Sequence, residues 1–331
     1  MPHKLLILYH NAEQNTNGKE HKPWPDKEER MRSRWTDLAM EASAPQEGAA
    51  QLAQGIERTV VRIRDEQTSR ALMRPMGTYV TLSCPQTMTL ELDIRRALSR
   101  ALAAEIRRML PEGANTVLVT GLGNRSITPD ALGPRTAESV LVTRHMDECL
   151  PEELSSRMRS VCAAAPGVLG VTGLETAEVL RGMVEHAKPD AVIAVDALAA
   201  RSSMRICSTI QIADSGITPG SGVGNHRKAL TKETLGVPVI AVGVPMVVYA
   251  STIARDAMSY FSRGSGASEA DEEKLAACME RVVSERLGDL IVTPREVDAL
   301  VGRMAGIVAL GINLALQPGL DESEIEQMMA Q

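Results

Sequence analysis

The sequence predicts an α/β fold in which a largely parallel sheet is flanked by helices. Short apolar runs with the length of buried strands alternate along the chain with amphipathic stretches of helical period. Strands that alternate with helices in this way usually pair in parallel, with the helices covering the faces of the sheet. The chain has 331 residues, which is long enough to bury a sizeable core without disulfides or a structural metal.

The N-terminal part of the chain differs from the rest. Residues 11–30 are polar, contain Pro23 and Pro25 and show no hydrophobic period, which is typical of a disordered leader. A short amphipathic stretch follows at residues 34–42. The alternating pattern of strands and helices begins only after this leader.

Several helices are predicted by apolar residues that recur every three or four positions, as in the stripe from Leu90 to Leu110. Thr172 and Glu175 have the spacing of a capping box and predict a helix that continues to His186. Thr293-Pro294-Arg295-Glu296 predicts the start of a helix that runs to Leu316. The other predicted helices are 134–145, 250–261 and 274–287. The predicted strands are 116–120, 191–195, 208–213 and 237–242.

Composition excludes several classes of function. The net charge is −6 and only seven residues are aromatic, whereas a protein that coats nucleic acid needs a basic surface and stacking side chains. The five cysteines form no C-x-x-C pair, which argues against a zinc cluster and favours reduced thiols in a cytoplasmic compartment. No apolar run reaches the roughly 20 residues that a membrane helix requires.

Two aspartates adjoin predicted strands at the end where parallel sheets bind their ligands. Asp196 directly follows the apolar run 191–195, and Asp130 lies in the segment 121–134 after strand 116–120. We therefore expect both carboxyl groups to face one crevice. Two carboxyl groups in one site do not both ionise freely, so one keeps a proton while the other stays charged. Such a pair can act as acid and base on a water molecule, as aspartic peptide hydrolysis requires.

Other interpretations of these segments stay open on spacing alone. Each aspartate could be a helix cap or a turn residue. Gly121-x-Gly123 after a strand also suggests a dinucleotide loop, although Ser126 stands where the third glycine should be. The glycine-rich segment 220–225 is either a turn or a wall of a substrate groove.

Three ordered blocks of the chain resemble the bacterial spore germination protease family, also called GPR endopeptidases. The blocks are 121–146 (GLGNRSITPDALGPRTAESVLVTRHM), 193–203 (IAVDALAARSS) and 209–245 (TIQIADSGITPGSGVGNHRKALTKETLGVPVIAVGVP). The resemblance is weaker from about Met31 to the C-terminus outside these blocks. Residues 1–30 lie outside it.

The resemblance implies an atypical aspartic endopeptidase that degrades small acid-soluble spore proteins in the cytoplasm of the spore core during germination. It implies a twisted α/β sandwich similar to that of hydrogenase maturation proteases. The two catalytic aspartates of the family fall on Asp130 and Asp196 of this chain. No metal or cofactor is expected, and the direct partners are protein substrates rather than nucleic acid or membrane.

Family members are made as zymogen tetramers that remove an N-terminal segment from themselves. The resemblance places this cut between Asp37 and Leu38, inside Thr-Asp-Leu-Ala-Met-Glu. Residues 1–37 are then a leader, of which 1–30 are disordered, and residues 38–331 are a single α/β peptidase domain. The residues that we expect to bind substrate are Asn124, Arg201, Gly220, Ser221 and Gly222.

One departure from the family pattern and three alternative functions accompany this interpretation. The family tends to read Thr-Val-Val-Asp after Gly243-Val-Pro245, where this chain has Met246-Val-Val-Tyr249.

The alternatives are a metal-triggered maturation peptidase of related fold, a nucleotide-binding oxidoreductase that uses the Gly121–Gly123 loop, and a catalytically silent spore structural or DNA-associated protein.

Overall fold

A mixed β-sheet forms the centre of the fold. The computed structural model describes residues 36–42, 46–85, 91–146, 157–220, 227–264, 268–287 and 290–329. Within these residues the sheet has nine strands, eight of them in the order β1-β2-β3-β7-β8-β6-β4-β5, with β9 paired to β8. The strands are β1 (Gln46–Gln51), β2 (Glu57–Ile63), β3 (Gly77–Ser83), β4 (Thr116–Gly121), β5 (Ser160–Ala164), β6 (Ala191–Ala200), β7 (Thr209–Ala213), β8 (Val239–Tyr249) and β9 (Ile291–Val292).

The two halves of the sheet differ in strand direction. Strands β5, β4, β6 and β8 run parallel to their neighbours in this group. Strands β1, β2, β3 and β7 extend the sheet by antiparallel pairing, and β7 joins β8 in the antiparallel sense. The α/β class and the helix-flanked parallel strands are confirmed, and the antiparallel extension is a feature that the sequence patterns did not predict.

Helices cover the sheet. They are α1 (Glu66–Leu72), α2 (Leu92–Met109), α3 (Leu132–Glu138), α4 (Leu169–Thr172), α5 (Thr176–Ala187), α6 (Lys232–Leu235), α7 (Ala250–Gly264), α8 (Glu269–Leu287), α9 (Val297–Leu316) and α10 (Glu322–Met329). Helix α9 packs against α2 and α3, and α7 packs against α8. The predicted helices 90–110, 250–261, 274–287 and the helix ending at Leu316 are all present with shifted ends.

The two faces of the sheet bury different cores. One face carries the main core, in which side chains of β2, β3, β4, β6, β7 and β8 meet α2, α3 and α9. The other face carries two smaller clusters, one beneath α5 and α6 and one around Ala39. Because strand side chains alternate between faces, a central strand such as β4 contributes to the cores on both sides.

Contrary to the sequence-based expectation that no apolar segment reaches the length of a membrane helix, α9 is long and apolar enough to cross a membrane, and it is the only such helix in the described part of the chain. However, 72% of its most apolar window is buried inside the fold. Its neighbours α2 and α3 cover it, and Ser99 Oγ on α2 donates a hydrogen bond to its Ile307 carbonyl at 2.9 Å. A helix that is apolar on all sides is therefore explained here by burial in the core.

Two predicted helix boundaries were wrong. The helix expected over 134–145 ends at Glu138, because Asn313 of α9 binds the chain that follows: its Oδ1 accepts from Leu141 N–H at 2.9 Å and its Nδ2 donates to the Ser139 carbonyl at 3.1 Å. Buried polar groups that find such partners need no helical hydrogen bonds.

The capping box expected at Thr172 is also absent. Helix α5 begins at Thr176 with Glu175 as its N-cap residue. The Thr172 hydroxyl instead closes the short helix α4, where it donates to the Val168 carbonyl and accepts from Leu174 N–H, both at 3.2 Å. A threonine hydroxyl binds nearby backbone groups in turns as readily as it caps a helix.

Candidate active site

Asp196 lies in the middle of the sheet, inside strand β6. It was expected to end the strand, but β6 continues to Ala200, because Ala197–Ala200 pair with β8. The side chain is buried, and the residue is 4% exposed. Its Oδ1 accepts a hydrogen bond from Ala197 N–H at 2.9 Å, and the Gly220 backbone N–H also donates to this carboxyl group. Burying a carboxylate is costly in free energy unless it is paired or hydrogen-bonded, and so a strongly buried acid of this kind is a candidate functional residue.

Asp130 is placed beside β6 by a tight turn that leads into α3. It ends the short 3-10 helix Thr128–Asp130, and its Oδ2 accepts from Asn124 N–H at 2.6 Å. Gly123 has a φ of +109°, and a Cβ there would overlap the Asp130 backbone carbonyl. The glycine is therefore required by the close approach of two backbone segments, which explains Gly121-x-Gly123 without a nucleotide.

The first turn of α3 contacts β6 directly. A Cβ on Gly133 would lie 2.5 Å from the Val195 carbonyl oxygen, so only glycine permits this packing. Val195 directly precedes Asp196, and Gly133 lies three residues after Asp130. The contact therefore brings the two aspartates to the same part of the molecule.

The carboxyl groups of Asp130 and Asp196 interact electrostatically. Burial raises the pKa of Asp196 well above its ordinary value, and the charge of Asp130 and then that of Asp37 raise it further. Burial also raises the pKa of Asp130, against the hydrogen bond from Asn124. The two acids therefore share one site in which the loss of a first proton hinders the loss of the second.

A row of residues across three strands connects Asp196 to Gln211. Asp196 of β6 pairs with Gly243 of β8, and Gly243 pairs with Gln211 of β7. Residues opposite one another in a sheet project to the same face. A Cβ on Gly243 would lie 2.5 Å from Leu198 Cγ, so the missing side chain leaves room for Leu198 between the two polar residues.

The segment 36–42 lies against this polar row. Asp37 pairs with Ala199 of β6: Asp37 N–H donates to the Ala199 carbonyl, and Ala199 N–H donates to Asp37 Oδ2, both at 2.8 Å. Leu38 is fully buried in the main core cluster. Strand β4 pairs with β6 only as far as Gly121 and Val195, and Leu122 N–H donates to the Val195 carbonyl at 2.8 Å. Asp37 therefore contacts β6 beyond the end of β4.

Gln211 holds the backbone on both sides of the Asp37–Leu38 peptide bond. Its Nε2 donates to the Asp37 carbonyl at 3.0 Å, and its Oε1 accepts from Ala39 N–H at 2.6 Å. The bond at which the sequence predicts a cut is thus fixed by a side chain from the same row as Asp196.

Glu41 anchors the far end of this segment. Its carboxylate accepts from Arg201 N–H at 2.7 Å and from Ser202 N–H at 3.0 Å, and it forms an ion pair with Arg205 Nε at 3.1 Å. Thr36 Oγ1 also donates to Glu41. The acidic residues at both ends of 36–42 therefore bind the same continuation of β6.

The predicted substrate-binding residues occupy different positions. Asn124 touches Asp130 through its backbone, and its Oδ1 accepts from Ser126 N–H at 3.0 Å. Gly220 donates to Asp196, while Arg201 contacts Glu41 through its backbone at the outer end of β6. Ser221 and Gly222 lie outside the described residues. The structure thus brings Asn124 and Gly220 to the two aspartates and places Arg201 beside the segment 36–42.

Cys207, the cysteine nearest to Asp196 in sequence, is buried in the core. Burial raises the pKa of its thiol to about 12, and its Sγ lies 3.8 Å from Met246 Sδ in the core. Met246 and Tyr249, the positions that depart from the family pattern, are likewise buried in β8. In the described ranges, no three or more His, Cys, Asp or Glu residues group in a way that could hold a metal ion.

The arrangement can support hydrolysis of a peptide bond. It offers two coupled carboxyl groups, one more deeply buried than the other, beside an extended segment whose backbone is held by hydrogen bonds. A charged and a protonated carboxyl group can together remove a proton from water and donate one to a leaving amide.

Sequence reasoning missed Gln211 and Arg74. The sequence does contain a signal for Gln211, because it is a polar residue at the centre of the apolar strand Thr209–Ala213. No sequence signal points to Arg74, because it lies in the turn after α1. Only the fold places its Nη2 at 2.7 Å from the Thr36 carbonyl.

A family model and the similar proteins found by comparison carry the same description. The family model described as "Germination protease" matches residues 41–282. The germination protease of Caldanaerobacter subterraneus subsp. tengcongensis is 43% identical over 319 residues, covering 89% of this chain and 97% of that protein. The germination protease of Clostridium acetobutylicum is 41% identical over 288 residues, covering 82% and 88%.

Among solved structures, a [NiFe] hydrogenase maturation protease, HycI from Thermococcus kodakarensis KOD1, is similar with a TM-score of 0.30 and 19% identity, covering 63% of this chain and 98% of that chain. The germination protease of Bacillus cereus is 39% identical over 347 residues, covering 87% and 94%. The family model spans well over half of the chain, and the relatives match nearly their whole length. The chain therefore belongs to the germination protease family.

Proposed function

We propose that this protease is an endopeptidase in which Asp130 and Asp196 activate a water molecule. The observation that supports this most directly is the electrostatic interaction between the buried carboxyl group of Asp196 and the half-buried one of Asp130, beside a peptide segment held by hydrogen bonds. In the proposed substrate-ready state the pair holds one proton, and Asp196 keeps it because burial raises its pKa further than that of Asp130.

The reaction then needs no further group to move protons. The ionised carboxylate takes a proton from water, and the water oxygen attacks the peptide carbonyl carbon to give a tetrahedral intermediate. The protonated carboxyl group delivers its proton to the amide nitrogen as the carbon–nitrogen bond breaks. One water is consumed, and a carboxyl terminus and an amino terminus are formed.

We also propose that the chain cuts itself between Asp37 and Leu38, which makes 1–37 a leader and 38–331 the mature peptidase domain. The hydrogen bonds of Gln211 to both sides of this bond, and the influence of the Asp37 charge on Asp196, support the assignment. While it is bound, the segment fills the place of a substrate, and so the uncut chain is expected to be inactive.

The substrates proposed for the mature enzyme are small acid-soluble spore proteins in the spore core, as the family resemblance implies. The proposed assembly is a homotetramer. Exposed apolar side chains on α7 support an association surface, since Tyr260 is 83% and Phe261 68% exposed. Light scattering of the purified chain, with Tyr260→Ser and Phe261→Ser as comparison variants, tests the assembly.

Substitution of either aspartate tests the dyad. Asp130→Asn and Asp196→Asn should each reduce cleavage of a spore-protein peptide, and of the chain's own leader, by at least about 10³-fold, since neither amide can hold or take the proton. The measurements are N-terminal sequencing after incubation and peptide cleavage followed by chromatography. Asp93→Asn, at an exposed position in the first turn of α2, is the matched control.

Near-normal turnover in either aspartate variant would overturn the dyad. Loss of activity on treatment with a chelator, restored by a divalent cation, would favour the metal-triggered peptidase instead. Tight binding of NAD without proteolysis would favour the oxidoreductase, and intact spore-protein peptide under all conditions would favour a silent protein.

A further inference from the structure

A cavity of about 160 Å³ lies next to the peptide bond that we propose is cut. Its walls come from β3, β7, β8 and the turn after α1, and they include Asp37, Arg74, Tyr79, Gln211 and Ser215. Gln211 links the cavity to the proposed site, because it lies in the row that leads to Asp196 and binds the Asp37 carbonyl.

Arg74 is the positive charge of this cavity. Its Nη2 donates to the Thr36 carbonyl at 2.7 Å, and its Nε is fully buried without a hydrogen-bond partner in the described residues. Burial lowers its pKa, while the negative charges of Asp37 and Glu41 act in the opposite direction. A guanidinium held largely out of water is costly unless an anion offsets it, and the charge of Asp37 acts most strongly in that direction.

The wall beside Arg74 is held rigid by hydroxyl groups. Tyr79 Oη donates to the Pro75 carbonyl at 2.7 Å and accepts from Ser215 Oγ at 3.0 Å. Burial raises the pKa of Tyr79, so this phenol stays neutral and adds no second charge to the cavity. The cavity therefore presents one fixed cation to whichever residue follows the path of Asp37.

We propose that Arg74 is a specificity-determining residue, which selects an acidic side chain at the position directly before the cut bond. This inference depends on the proposed function, in that the leader segment marks the path of a substrate. After the leader leaves, the cavity accepts the aspartate or glutamate of an incoming peptide, and that carboxylate takes the place of Asp37 as the negative charge that offsets Arg74.

Self-cleavage of the full chain gives the first test. Asp37→Asn should slow the cut at residues 37–38 by about 10- to 100-fold, as expected when a hydrogen-bonded charge is lost. In an Arg74→Met background, which keeps the apolar stem, Asp37→Asn should slow this cut by no more than about twofold. Asp37→Glu, which preserves the charge, is the control for the first change.

Cleavage of a second molecule gives a test that does not depend on the amount of active enzyme. Two spore-protein peptides that differ only in Glu or Gln before the cut are offered together to the processed enzyme. The wild-type protein should prefer the Glu peptide by about 10- to 100-fold in kcat/KM, and Arg74→Met should lose this preference. Arg74→Gln is the second variant if Arg74→Met does not fold, and Arg74→Lys should restore part of the preference.

The outcomes separate this inference from the function on which it depends. A folded Arg74→Met or Arg74→Gln protein that still prefers the Glu peptide by the wild-type factor would overturn the role of Arg74 and leave the dyad untouched. A wild-type chain that cuts neither itself nor any peptide, under conditions where Asp196→Asn is equally inert, would overturn the proposed function.

Discussion

Asp196 is an acid in a position where its charge is destabilising. It is buried in the central strand of the parallel half of the sheet, with the charges of Asp130 and Asp37 nearby. Since folding raises the pKa of this residue, the folded chain binds its proton more tightly than the unfolded chain does. The residue therefore favours the fold below the ordinary carboxyl pKa, and this contribution is lost as the pH rises towards the folded pKa.

This linkage predicts that Asp196→Asn stabilises the protein while abolishing its activity. At pH 7 the variant should gain about 0.5–2 kcal/mol in free energy of unfolding, as is common when a strained functional group is replaced. The gain should shrink as the pH falls to about 4, because the carboxyl group of the unfolded chain then also begins to bind a proton. Thermal unfolding from pH 4 to pH 7 measures it, with Asp93→Asn as the control, and a variant less stable than wild type at pH 7 would contradict the prediction.

The same shifts set the pH dependence of catalysis. Both carboxyl groups have raised pKa values, and so the singly protonated pair should persist to a higher pH than two ordinary aspartates would allow. The rate of peptide cleavage should fall on the alkaline side as the pair loses its last proton. A pH–rate profile measures this fall, and activity that rises without limit into the alkaline range would contradict a dyad.

The turn between β4 and α3 sets the position of Asp130. It contains close backbone contacts at Gly121, Gly123 and Gly133. The α3 end of this element is tied to α9 through Thr128 Oγ1, which donates to Asp298 Oδ1 at 3.0 Å. An error of an ångström in such a turn is enough to misplace a catalytic group.

We therefore expect Gly123→Ala to impair cleavage beyond its effect on backbone strain. The new Cβ would overlap the Asp130 carbonyl oxygen and push the turn away from β6. Peptide cleavage should fall by about 10²-fold or more. Gly113→Ala is the matched control, since Gly113 also has a positive φ, +74°, but an added Cβ there meets nothing within 4 Å. Equal activity of the two variants would show that crowding at Asp130 does not matter.

At the scale of the whole molecule, α9 joins regions that are distant in sequence. It packs on α2 and α3. Its buried Asn313 forms hydrogen bonds with the Ser139 carbonyl and the Leu141 N–H, in the chain that leaves α3. Its neighbour Gln317 does the same for Arg159, where its Oε1 accepts from the backbone N–H at 2.9 Å and its Nε2 donates to the carbonyl at 3.2 Å. These amides connect the helical layer to the edge of the sheet at β5.

Asn313→Ala should therefore lower the free energy of unfolding without changing the rate of peptide cleavage by the folded protein. The Leu141 N–H and the Ser139 carbonyl would lose their partners, which costs about 2–4 kcal/mol for the two groups together. Urea unfolding measures the loss. The processed variant should keep wild-type kcat per folded molecule at low temperature, and a urea midpoint equal to that of wild type would contradict the bridging role.

The sequence by itself determined the α/β class, the parallel strands and the choice of Asp130 and Asp196 as candidates. Apolar runs, helical periods and a polar residue next to a buried strand are local signals, and local signals survive in a linear sequence. The three family blocks likewise lie in continuous segments, so the family could be predicted before any geometry was known.

Only the tertiary structure decided where β6 ends, which acids interact and what surrounds the Asp37–Leu38 bond. The extension of β6 depends on its pairing with β8, which lies about 50 residues further along the chain. Arg74 reaches Thr36, and Gln211 reaches Asp37, across 38 and 174 positions. Contacts between residues this far apart depend on strand order and packing, which no local pattern encodes.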